Sequence, residues 1–274
     1  MQKFKNFIFL LVVSMIIVSC GEYQKVLNKG TILDQYKLAV KLYEAKDFKK
    51  ALRLFEKVTP TYRGKPQMER IQFMVAQSNF NLKNYTYSGY YFDRFTSNYP
   101  TSSKKEEAAF LSAYSYKLSS PTFSLDPTDT YKALGAFQQF INDYPNSTRL
   151  EEANKHYQEI RLQLEKKAFE IAKTYYKTAE YDFRNYKATV VAMDNLLADF
   201  LGTAYKEEAF YYKLKAYHDL ALKSSERKKE GRINDAMKAY QKLIKTFPET
   251  KFLKETNEML TNLQSEQKKL VKKS

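Results

Sequence analysis

Three times in this 274-residue chain an aromatic residue is followed by proline and, within two more positions, by a hydroxyl residue. The segments are Tyr99-Pro100-Thr101-Ser102, Tyr144-Pro145-Asn146-Ser147 and Phe247-Pro248-Glu249-Thr250. Proline stops a helix, since it lacks an N–H and its ring clashes with the preceding turn, and Ser or Thr caps the next helix. Ser103 with Glu106, and Thr148 with Glu151, have capping-box spacing. Around these marks a pattern of small and aromatic residues recurs at helical spacing. It reads Leu38-Ala39, Leu42, Phe48, Ala51, Phe55 and Val58, then Val75-Ala76, Phe80, Tyr85, Ser88, Phe92 and Phe95. It returns as Ala113, Tyr116, Ala133, Phe137 and Phe140, and again as Ala216, Ala236, Tyr240 and Leu243. Small residues sit where two helices approach closely, and the aromatics fill the groove beside them. Only seven Gly and seven Pro occur, too few for a turn-rich β fold. The expectation is an all-α chain of tandem helix pairs.

This pattern resembles the tetratricopeptide repeat. Ala39 to Ala51 and Ala76 to Ser88 both give the family's spacing of 12, whereas Ala113 to Ala133 and Ala216 to Ala236 give 20. The extra residues fall between the helices of a pair, at 119–127 and 223–231. A fourth unit near 166–203 is looser, with Phe200-Leu201-Gly202-Thr203 in place of aromatic–Pro. The resemblance implies a right-handed superhelical solenoid of about five helix pairs. A shorter helix at 149–165 is expected to bridge the third and fourth units, and a helix from Thr250 to Lys269 to cap the end.

Cys20 is the single cysteine, and it closes the N-terminal apolar stretch Phe7–Val18 that follows Lys3 and Lys5. Twelve helical residues cover about 18 Å, short of a hydrocarbon core of about 30 Å, so the segment reads as an export signal. Ile17-Val18-Ser19-Cys20 resembles the bacterial lipobox, which implies acylation of Cys20 and a membrane-anchored mature chain. Gly21 is not the Asp that tends to retain lipoproteins on the inner membrane. The formal charge is +15, spread through Lys/Glu-rich helices except for Lys268, Lys269, Lys272 and Lys273 in the tail. Export argues against nucleic acid as a partner, while an acidic partner or a membrane surface suits the charge.

Chemistry-bearing motifs do not stand out. His156 and His218 are far apart, and no CxxC, HExxH, GxxxxGK or GxSxG occurs. Glu106-Glu107, Glu151-Glu152 and Glu207-Glu208 fall near helix starts, where carboxylates favour the dipole. The expectation is a non-enzyme with no metal or cofactor beyond the covalent lipid on Cys20.

Lipobox, repeats, punctuation and the segment Ser119–Ser147 together resemble the BamD, or competence-lipoprotein, family of outer-membrane assembly lipoproteins. The resemblance implies a non-catalytic subunit of the machinery that folds β-barrels, anchored at the periplasmic face of the outer membrane. It implies docking on a periplasmic POTRA domain of a BamA-like barrel subunit. It also implies capture of the C-terminal segments of unfolded outer-membrane proteins. Placed on the first three units, the groove positions of the repeat family give Tyr36, Val40 and Tyr43, then Phe73, Gln77 and Phe80, then Phe110 and Tyr114. An aromatic-lined groove suits an extended client that ends in an aromatic residue. The expected organisation is a signal peptide at 1–19, an acylated linker at 20–30 and client-binding repeats at 31–148. A complex-docking half at 149–265 and a basic tail at 266–274 follow. Two other readings are a different periplasmic repeat scaffold and a glycan-binding lipoprotein; the absence of Trp weakens the latter.

Overall fold

The computed structural model of the chain describes residues 21–271, so the expected signal peptide at 1–19 and Cys20 lie outside the described residues. Twelve helices and no strand occur among the described residues. They are α1 (21–29), α2 (Ile32–Glu44), α3 (Phe48–Tyr62), α4 (Gln67–Asn81), α5 (Tyr85–Asn98) and α6 (Lys105–Ser119). They continue as α7 (Thr128–Asp143), α8 (Leu150–Thr178), α9 (Arg184–Asp199), α10 (Lys206–Leu222), α11 (Glu226–Thr246) and α12 (Leu253–Val271). The helix pairs are α2/α3, α4/α5, α6/α7, α8/α9 and α10/α11, with α12 packed on the last pair. This is the fold class that the repeat pattern implies.

Two compact units divide the described residues. The first holds those up to Pro121 together with Asp126–Ile160; the second holds Thr122–Leu125 and those from Arg161 onward. The division falls inside α8, not at residue 148. The expected bridging helix and the first helix of the fourth repeat are one helix of 29 residues. Neither Gly nor Pro interrupts that stretch, so nothing in its backbone chemistry stops the helix.

Three other expectations change. The segment expected as a linker at 20–30 is helical over 21–29, with Tyr23 and Leu27, four residues apart, buried in the first-repeat core. The Gln35 amide donates to the carbonyls of Val26, Leu27 and Gly30, closing the end of α1. The second insertion is not a loop. Glu226-Arg227-Lys228-Lys229-Glu230 are good helix formers, and they extend α11 back to its cap at Ser225. The tail is helical as far as Val271. By contrast the first insertion, with Pro121 and Pro127, stays outside helix. Lys167 Nζ donates to its Phe123 and Leu125 carbonyls at 3.0 and 2.6 Å.

The punctuation has a different partner from the one its spacing predicts. Ser103 and Thr148 do not form the capping boxes; Ser102 and Ser147, one residue earlier, accept from the N–H groups of Lys104 and Arg149 at 3.0 Å each. Each hydroxyl then donates to a carboxylate at the start of the preceding repeat. Ser102 reaches Glu69 and Ser147 reaches Glu106, both at 2.6 Å, within the first unit. In the second unit Thr203 reaches Glu165 at 2.8 Å and Thr250 reaches Glu207 at 2.6 Å. Hydroxyl-to-carboxylate bonds are short and charge-assisted, and here they pin successive first helices together. Thr203 belongs to the loose fourth repeat, so the hydrogen bond persists where the aromatic–Pro signature does not. Between α5 and α6, Gly89 allows close approach, since a Cβ there would lie 2.8 Å from the Tyr116 ring.

Candidate functional site

Helices α2, α4 and α6 carry all eight residues expected to line a groove, and the structure sorts them. Tyr43 and Phe73 share one cavity of about 390 Å3, lined also by Pro66, Glu69, Arg70, Met74, Phe95 and Lys104. Phe73 packs edge-on against Phe92 and Phe95 at 5.6 and 5.4 Å, which leaves part of its ring on the cavity wall. Tyr43 packs edge-on against Phe48 at 5.7 Å. Burial, then the Glu107 carboxylate, pushes its phenol above the ordinary value despite Arg70, so it stays a neutral donor.

Two cations stand at this cavity. Lys104 Nζ lies 5.5 Å from the centre of the Phe73 ring and 2.8 Å from Glu107. Arg70 meets Glu44 at 3.4 Å. Both ion pairs are solvent-exposed and contribute little, so an incoming carboxylate could compete for either cation. The cavity therefore combines apolar walls for a ring with positive charge for an anion.

A second set of rings runs across the first helices. Phe80 faces Tyr114 at 6.1 Å, and Tyr114 stacks on His156 at 5.1 Å. Lys117 Nζ lies 2.6 Å from His156 Nδ1 and 2.5 Å from Glu159. Hydrogen bonds from Lys117 hold the Glu159 carboxyl below its usual range. Here the chain places aromatic surface next to a charged cluster, again within the first unit.

The remaining expected residues do not line the cavity. Phe110 is 2% exposed, enclosed by Phe137, Phe140 and Tyr114 with Arg149 over its ring at 4.6 Å, and so it is core rather than groove. Its neighbours on the second helix of the same pair close over it. Tyr36 tilts onto Tyr62 at 5.1 Å, and Val40 packs on the same first-repeat core. Gln77 is half-buried, and its backbone carbonyl accepts from the Asn81 side-chain amide. Sequence reasoning missed Arg70 and Lys104. Nothing distinguishes two cations among 46 Lys and Arg, and Lys104 reaches the site only from the turn before α6.

Among the described residues no helix is long and apolar enough to cross a membrane. Two curated proteins named outer membrane protein assembly factor BamD are similar to the chain. That of Pasteurella multocida (strain Pm70) is 22% identical over 187 residues, covering 65% of this chain and 72% of its own length. That of Haemophilus influenzae (strain ATCC 51907 / DSM 11121 / KW20 / Rd) is 20% identical over 232 residues, covering 81% and 86%. Among solved structures, a thermophilic tetratricopeptide protein of Thermus thermophilus, TTC0263, matches 84% of this chain and 100% of its own. Its TM-score is 0.30 at 15% identity, too loose a superposition to carry weight. The model of the family described as YfiO, outer membrane lipoprotein, matches residues 29–232, from the end of α1 into α11. With most of the repeats inside that match, the chain belongs to the YfiO family of outer membrane lipoproteins, which groups it with the BamD-like assembly factors.

Proposed function

We propose that this protein is a non-catalytic subunit of the β-barrel assembly machinery, anchored by lipid on Cys20 at the periplasmic face of the outer membrane. Its second unit docks on a POTRA domain of a BamA-like subunit. Its first unit takes the C-terminal segment of an unfolded outer-membrane protein. One observation carries the client reading: the cavity at Tyr43 and Phe73, with Lys104 and Arg70 beside it. A client chain that ends in an aromatic residue offers a ring for the apolar walls and a free carboxylate for the cations.

The test is peptide binding to the full chain. A barrel-derived C-terminal peptide with a free carboxylate should bind about tenfold tighter than its amide, the equivalent of one charge-assisted hydrogen bond. In Lys104→Gln with Arg70→Gln the two peptides should bind alike. Phe73→Ala should weaken both, with circular dichroism confirming that the variant is folded. Equal affinity of acid and amide for the unaltered protein would remove the cavity from the client site.

A further inference from the structure

We propose that one edge of the first two repeats docks on a layer of anionic phospholipid headgroups. At this edge α2 turns into α3 and α4 into α5, with the start of α1 beside them. Helix α1 runs alongside α3 in the same direction. Lys50 Nζ lies 5.6 Å from the Tyr23 ring, and Lys57 Nζ, further along α3, donates to the carbonyl of Leu27, further along α1, at 2.7 Å. The first residues of α1 therefore lie at the end where α3 begins, which is the edge formed by the turns at 45–47 and 82–84. With Tyr23 and Leu27 buried, α1 is fixed on the first repeat, and its first described residues lie at this edge.

The edge is cationic. Lys25, Lys46, Lys49 and Lys83 are exposed there. Asp47 is engaged with Lys50 at 2.9 Å and Glu44 with Arg70, which leaves Glu22 as the carboxylate nearest the start of α1. Lys46 and Lys83 share a second property: both have φ of 62°. That left-handed conformation is unfavourable for any residue but glycine, and Asn is the usual exception. Two consecutive repeats thus place lysine at the same turn position at a conformational cost, and both lysines project charge from the same edge. A polybasic cluster of this kind matches an anionic headgroup layer, which attracts each Lys or Arg held within a Debye length. The inference rests on the anchor reading only in that the lipid on Cys20 brings this edge to the membrane.

Lysine labelling tests it on the full-length protein in two kinds of vesicle, phosphatidylcholine alone and phosphatidylcholine mixed with phosphatidylglycerol. On the anionic vesicles labelling of Lys25, Lys46, Lys49 and Lys83 should fall about threefold relative to the neutral ones and recover in high salt, with Lys65, exposed in the turn between α3 and α4 at the opposite end of these helices, unchanged. Lys46→Gly with Lys83→Gly should melt no lower than the unaltered protein, yet lose about half of the protection at Lys25 and Lys49. Equal labelling on both vesicles, or unchanged protection in the double variant, would overturn the proposal. The mass of the N-terminal peptide reports acylation separately, so failure of the anchor reading is distinguishable from failure of the docking surface.

Discussion

At the scale of single residues, buried polar groups in the second unit are held in place by named partners. Burial by itself would push the Asp219 carboxyl up. Its contacts with His218 Nδ1 at 2.8 Å and the Tyr176 hydroxyl at 2.5 Å outweigh burial and hold it below the ordinary range. Burial, and then the same contact, pushes the Tyr176 phenol well above its usual value. Tyr176→Phe keeps the ring against Tyr186 and Tyr212 while removing the donor. It should destabilise the protein by about 1.5–3 kcal/mol near neutral pH, the range for hydrogen bonds to charged groups. A depressed carboxyl contributes stability that is present above its ordinary pKa and lost as pH falls through its folded value. The difference between variant and parent, measured by urea midpoints, should therefore shrink as pH falls below the carboxylate range. A gap independent of pH would mean that the hydroxyl acts on something other than the charged carboxylate.

Single helices show how local chemistry decides whether an insertion becomes a loop or more helix. Both inserts lie between the helices of a pair and both depart from the family spacing by the same amount. The one bounded by Pro121 and Pro127 cannot enter helix, whereas the one rich in Glu, Lys and Arg is absorbed into α11. Gly231 now sits inside that helix with nothing within 4 Å of where a Cβ would stand. Gly231→Ala should therefore stabilise the protein by about 0.5–1 kcal/mol, by removing backbone freedom from the unfolded chain. Thermal melting would show it, and a lower melting temperature would mean that 226–231 is not helical in solution.

For the whole molecule, repeat stacking makes stability a sum of local terms, because each pair buries its apolar face mainly against its neighbours. Leu263 on α12 is fully buried with Ala221, Ile233 and Ala236. Leu263→Ala should cost about 2–5 kcal/mol. In this architecture the loss should appear as faster amide exchange in α10–α12, with α2–α5 unchanged. Uniform acceleration along the chain would show that the array unfolds as one cooperative block.

Much of this arrangement was legible in the residues alone. Small-to-aromatic spacing and proline punctuation are short-range signals, so the helix pairs, the capping helix and the first insertion could be read directly. The candidate site was legible only in part: Tyr43 and Phe73 meet at a cavity, while Phe110, at an equivalent groove position, is closed over by Phe137 and Phe140. Periodicity gives the face of a helix but not how far its neighbour covers that face. The same limit hid Lys104 and the Ser102–Glu69 and Ser147–Glu106 hydrogen bonds, whose partners are 33 and 41 residues apart. By itself the amino-acid order determined that this chain is a series of helix pairs, because helix start, stop and apolar spacing are encoded within a turn or two. Tertiary structure alone decided which rings remain open to a ligand, which cations stand beside them and where α1 lies, because each depends on side chains far apart in sequence that neighbouring helices bring together.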